Sequence, residues 1–146
     1  QVPEKNIILN DGCCPIHAKI SLGQVRDEML LHPNAQVISH PECERKILDV
    51  SDYIGSTAEL IAYANRTDCD EFIVCTEDGV SFQLNTDNPH KKFYFPKTRP
   101  CCTDMKLNTH EKLLHALQTE ENAVEVSQTV REKALLPLDR MLELAK

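Results

Sequence analysis

Three short stretches of this chain carry the side chains that do chemistry. Gly12-Cys13-Cys14-Pro15-Ile16-His17 and Cys102-Thr103-Asp104-Met105-Lys106 offer thiols, and His40-Pro41-Glu42-Cys43 offers an imidazole beside a carboxyl. Thiolates hold iron–sulfur clusters or zinc, and a carboxyl partly withdrawn from water near such a centre can act as a general acid–base. Gly55-Ser56-Thr57 adds hydroxyls and backbone N–H groups at an expected helix N-terminus, which suit a substrate carboxylate or phosphate. Thr76-Glu77-Asp78-Gly79 is a further polar block at the end of an apolar run.

The seven cysteines stand at 13, 14, 43, 69, 75, 101 and 102. An odd count argues against a closed disulfide framework. The chain has no C-x-x-C pair, so neither a zinc ribbon nor a ferredoxin-like cluster loop can be read locally. Any metal site must be assembled from distant segments.

Alternating strands and helices would do the assembling. Asn6 to Asn10 reads as a buried strand, followed by a turn at Asp11-Gly12 and a helix from about Ser21 to His32. Gln36 to Ser39 is the next strand. His40-Pro41-Glu42 turns into a helix burying Ile47, Leu48 and Val50, and Asp52 to Gly55 is extended again. Ser56-Thr57-Ala58-Glu59 is a capping box for a helix with Leu60, Ile61 and Ala64 inward. Glu71 to Cys75 is a buried strand, Val80 to Leu84 is ambiguous by pattern, and Lys91 to Phe95 is a strand. Pro96 to Cys102 is loop. Thr109 caps a helix carrying Leu113, Leu114 and Leu117. Ala123 to Val126 reads as a last strand, and Ser127 opens a helix burying Val130, Leu135, Leu138, Met141 and Leu142 around Pro137.

This rhythm predicts an α/β fold with short parallel sheets, arranged as two small αβα lobes over residues 1–69 and 70–146. In open parallel sheets ligands bind beyond the carboxyl ends of the strands. Cys14 and His17, His40 and Glu42, Ser56 and Thr57, Thr76, and Cys102 all fall there, so five loops could share one cleft.

At 146 residues and 41% hydrophobic the chain can bury a core. A net charge of -7 offers no basic field for a nucleic-acid partner. No apolar run approaches the roughly 20 residues that span a bilayer, which predicts no membrane partner and a cytoplasmic location. The chain starts at Gln1 rather than Met and is read as a piece of something longer.

Taken jointly, the order and spacing of these blocks resemble quinolinate synthase, and Arg140-Met141-Leu142-Glu143-Leu144 is similar to that family's C-terminus. The resemblance implies the second and third of three αβα-sandwich domains around a pseudo-threefold axis. It implies a four-iron four-sulfur cluster held by one cysteine from each domain, with Cys14 and Cys102 as this chain's ligands and the third in an absent first domain. It further implies condensation of iminoaspartate with dihydroxyacetone phosphate to quinolinate in NAD biosynthesis, with L-aspartate oxidase as functional partner. Glu42 is then the expected acid–base residue, with His17, His40, Ser56 and Thr57 binding substrate. This chain alone would be inactive.

Blander readings stand beside these. Cys13 and Cys101 are neighbours that could replace the expected ligands, while Cys43, Cys69 and Cys75 read as small core hydrophobes. Ser56 serves equally as a helix cap, and Glu77 and Lys106 read as solvated charges outside the site. A non-catalytic Cys/His zinc module is the alternative function.

Overall fold

The computed structural model of the chain describes residues 12–145. The expected strand at Asn6 to Asn10 lies outside the described residues. Two compact units divide the chain, Gln1–Thr103 and Asp104–Lys146.

In the first unit, helices α1 (Pro15–Ala18) and α2 (Leu22–Leu31) precede strand β1 (Gln36–Ser39). Then come α3 (Arg45–Leu48), β2 (Tyr53–Ile54), α4 (Thr57–Arg66), β3 (Glu71–Cys75), α5 (Val80–Asp87) and β4 (Lys92–Tyr94). The strands form one sheet in the order β2-β1-β3-β4, and all three pairings are parallel. Gln36 aligns with Phe72 and Ser39 with Cys75, so β1 and β3 end level.

Alternation along the two central strands builds the layers. Ile38, Phe72 and Val74 face one way and pack with Leu60 and Ala64 of α4 and Val80 and Leu84 of α5. Val37, Ile73 and Cys75 face the other way and pack with Val25 of α2 and Ile47 of α3. Strands buried on both faces read as continuous apolar runs, and Phe72-Ile73-Val74-Cys75 is such a run. The result is a three-layer αβα sandwich.

The expected division at residues 69 and 70 falls inside this sheet rather than between two sheets, because all four residues of β1 pair with β3. Several element expectations hold. The capping box at Ser56 and Glu59 forms with both of its bonds. The ambiguous Val80 to Leu84 is helix, and it buries Val80 and Leu84. Buried Lys91 closes the end of α4 by donating to the carbonyls of Ala64 at 2.8 Å and Thr67 at 2.6 Å, where a cation complements the helix dipole. Pro41 lies in a turn; the helix beyond it is the single turn α3.

The second unit holds a short 3₁₀ turn (Met105–Leu107), α6 (His110–Thr119) and α7 (Gln128–Leu144). Thr109 caps α6 by accepting the N–H of Lys112. Ala123 to Val126 is not a strand, since it has no partner strand among the described residues and Asn122 before it takes a left-handed φ of 68°. Ser127 stands at the N-cap of α7 but its side chain makes no capping bond, and Pro137 lies within the helix. Neither helix contains a buried residue, contrary to the burial expected of Val130, Leu135, Leu138, Met141 and Leu142. No described helix is long and apolar enough to cross a membrane.

Candidate functional site

The carboxyl ends of β1 and β3 carry the first group of polar side chains. His40 leaves β1 with its N–H bonded to the carbonyl of Cys75 at 3.1 Å, which ties the two strand ends together. The buried Cys43 thiol donates to the same carbonyl at 3.3 Å. Burial, with Cys75 nearby, pushes the Cys43 thiol up to about 12, and burial takes Cys75 to about 11. Both are structural thiols.

Next to this corner, α1 presents Cys14 and His17. The His17 ring is buried and stacks on His40, with centroids 4.4 Å apart and planes 16° from parallel. Its Nε2 lies 3.0 Å from the hydroxyl of Thr76, the first residue after β3. Its Nδ1 lies 3.2 Å from Glu42 Oε2, at ion-pair distance but outside hydrogen-bond geometry. Burial and the neighbouring His40 lower the His17 pKa from its ordinary 6.5, and they outweigh the opposite pull of Glu42. His17 is therefore neutral near pH 7.

Glu42 lies at the edge of this stack beside both Nδ1 atoms, with its side chain 53% exposed and Oε2 3.6 Å from His40 Nδ1. The Glu42 N–H donates to His40 Nδ1 at 3.3 Å, which assigns the His40 proton to Nε2. Cys14, His17 and Glu42 each place a donor atom within 4.8 Å of the others. A thiol, an imidazole and a carboxylate at that spacing can bind a metal ion.

Ser56 and Thr57 occupy the N-terminus of α4 at the same end of the sheet. Ser56 is already engaged: its N–H and its hydroxyl both donate to Glu59 Oε2 at 2.7 Å. These bonds lower the Glu59 pKa and keep it a carboxylate. Gly55 allows the close corner, because a Cβ there would come within 2.8 Å of Glu59 Cβ and 3.0 Å of Tyr53 Cε1.

Cys102 is free and half-buried, on the loop after β4. It is not in the close-set group with Cys14, His17 and Glu42 among the described residues, whereas Cys101 groups with the carboxylates of Glu77 and Asp78. The structure thus brings together Cys14, His17, His40, Glu42 and Thr76, and puts Ser56, Thr57 and Cys102 on neighbouring loops of the same edge. Sequence reasoning set Glu77 aside as a solvated charge. It is half-buried and accepts the N–H of Gly79 at 2.7 Å and of Cys102 at 3.1 Å. The one available signal was its place between a strand end and a glycine turn.

Comparison with known proteins fits this edge. A family profile described as Quinolinate synthetase A protein matches residues 1–143. The quinolinate synthase of Clostridioides difficile is 41% identical over all of this chain and 48% of its own length. That of Fusobacterium nucleatum is 43% identical over 99% of the chain and 48% of its own length. That of Aquifex aeolicus is 36% identical over 99% and 47%. The chain spans about half the length of the curated relatives it matches, against the two domains of three expected. A profile running through every block that builds the edge settles the family: the chain belongs to the quinolinate synthetase A proteins.

Proposed function

We propose that this chain forms part of a quinolinate synthase, condensing iminoaspartate with dihydroxyacetone phosphate to quinolinate for NAD biosynthesis. The observation that carries the reading is the meeting of Cys14, His17 and Glu42 within 4.8 Å at the carboxyl end of a parallel sheet. Cys14 and Cys102 would hold a four-iron four-sulfur cluster together with a third cysteine outside this chain. The donor set fits, since both thiols are free and neither is sealed in the core. With three thiolates, such a cluster leaves one iron open as a Lewis acid toward a substrate oxygen.

The chain's own residues supply the rest. Glu42 takes and returns protons, being half exposed toward the cleft and flanked by two imidazoles. Neutral His17, fixed by Thr76 behind it, offers a polar edge without adding charge. His40 presents Nε2–H to substrate because Nδ1 is occupied by the Glu42 amide. Ser56 and Thr57 bind a substrate carboxylate or phosphate, which must exchange with the Glu59 carboxylate resting on Ser56. A cytoplasmic location and supply of iminoaspartate by L-aspartate oxidase belong to the same proposal.

The test uses a protein carrying this chain at the full length of its relatives. Glu42→Gln should keep iron and sulfide content and lower kcat about 10²- to 10⁴-fold. This chain alone, reconstituted anaerobically, should hold a weak cluster or none. An unchanged kcat in the variant, or a stable cluster on the isolated chain, would contradict the proposal.

One second reading has a specific observation behind it. Thiol, imidazole and carboxylate at Cys14, His17 and Glu42 are donors that zinc accepts. Zinc rather than iron in anaerobically purified protein, with function indifferent to Glu42→Gln, would favour a non-catalytic zinc module.

A further inference from the structure

We propose that Glu77 is a positioning residue for the Cys102 thiol. This rests on the reading of Cys102 as a metal ligand and goes further, by naming what aims it. A ligand on a loop is useful only if the loop is held, because a thiol free to swing loses the advantage of preorganisation. The Pro96 to Cys102 segment has no strand or helix of its own to hold it. Its fastenings are the burial of Pro96 and Pro100 together with side-chain and single backbone bonds.

Three of these are present. At the outer end, the Gln24 amide of α2 clasps Thr98 reciprocally, donating to its hydroxyl and accepting its N–H, both at 3.0 Å. Closer in, the Asp78 N–H donates to the carbonyl of Pro100 at 2.8 Å. At the cysteine itself, Glu77 Oε1 accepts the Cys102 N–H at 3.1 Å while Oε2 accepts the Gly79 N–H at 2.7 Å. One carboxylate thus joins the turn after β3 to the loop after β4 through charge-assisted bonds, which are about twice as strong as neutral ones.

The position of Glu77 along the chain gives this latch its meaning. The preceding residue, Thr76, contacts His17 Nε2, three residues beyond Cys14. The end of β3 therefore registers both ligand loops, with Thr76 against the helix after Cys14 and Glu77 against the backbone of Cys102. Both contacts start from β3, a strand paired on both sides. A glutamine at 77 would keep one acceptor oxygen and turn an amide N–H toward the other donor, so it should hold the loop partly. An alanine would release it.

The test compares wild type, Glu77→Ala and Glu77→Gln in this chain, free of metal and under reducing anaerobic conditions. Amide exchange at Cys102 should become about ten-fold faster in Glu77→Ala, the scale expected when a local fastening opens. Glu77→Gln should fall in between. Iodoacetamide labelling read by mass spectrometry should speed up several-fold at Cys102 and stay unchanged at Cys14. Equal acceleration at both thiols would mean general loosening, and an unchanged rate at Cys102 would mean no latch; either overturns the proposal. Circular dichroism identifies a misfolded Glu77→Ala, in which case Glu77→Gln alone decides. None of these readouts needs a cluster, so they remain decisive if the iron–sulfur reading itself fails.

Discussion

Residues 12–103 and 104–145 are both rich in helix with apolar periodicity, yet among the described residues only the first region has an interior. Every residue of the two hydrophobic clusters lies between Ile20 and Phe95. In the second region Leu113, Leu117, Leu138 and Met141 are each at least half exposed. The contrast teaches that periodicity selects a face of a helix without supplying what covers it. A strand paired on both edges and buried on both faces carries its own cover, whereas an amphipathic helix waits for a partner.

The sharpest way to break this contrast is a pair of truncations to alanine. Phe72→Ala, in the centre of the sheet, should cost about 3–5 kcal/mol, while Leu138→Ala in α7 should stay within about 0.5 kcal/mol. Urea unfolding of this chain measures both, and equal losses would show that the second region is packed as tightly as the first. A finer contrast lies inside the first region, between core and rim thiols. With Cys43 raised from 9.0 to about 12, its thiolate fraction is down about a thousandfold. Native-state alkylation should therefore reach exposed Cys13 and Cys101 quickly and Cys43 and Cys75 only on unfolding. Early labelling of Cys43 would show that the corner beneath Glu42 opens.

Smaller effects separate framework from site. Lys91→Met should lower stability by about 1–3 kcal/mol, because the terminal carbonyls of α4 lose their donor. Thermal melts can follow it, and no change would mean that water replaces the ammonium at no cost. The least is expected from pH. The His17 pKa is lowered in the folded chain, so below 6.5 the unfolded chain binds more protons. Its contribution to stability is complete above that value and is lost as pH falls toward the folded pKa. His17→Gln should flatten this dependence in urea midpoints taken across mildly acid pH.

Much of the sheet region was legible in the sequence because local signals and tertiary roles agree there. Glu71 to Cys75 is apolar enough to be a central strand, and Ser56 with Glu59 forms the capping box that its spacing announces. The lobe boundary was not legible, since strand order is a long-range property and nothing in β1 says that its second neighbour is β3 rather than an edge. Ala123 to Val126 misled because β-branched residues favour strands only where another strand is at hand. At the candidate site, residue types and loop positions pointed to His17, His40 and Glu42, which the fold brings into contact. The role of Glu77 was hidden, because the acceptors of backbone N–H groups 25 residues away leave no trace in composition.

The strand order has a consequence for how the chain comes into being. Of the described strands, synthesis delivers β1 and β2 first, and their pairing satisfies only one side of β1. Until the segment beyond α4 has been made, the backbone along Val37 and Ile38 is an open template, the kind of edge that invites intermolecular pairing. Arrival of β3 converts that liability into the centre of the sheet. During the interval between the two events this edge is exposed to intermolecular pairing, and the length of α4 and its flanking turns sets how long that interval lasts.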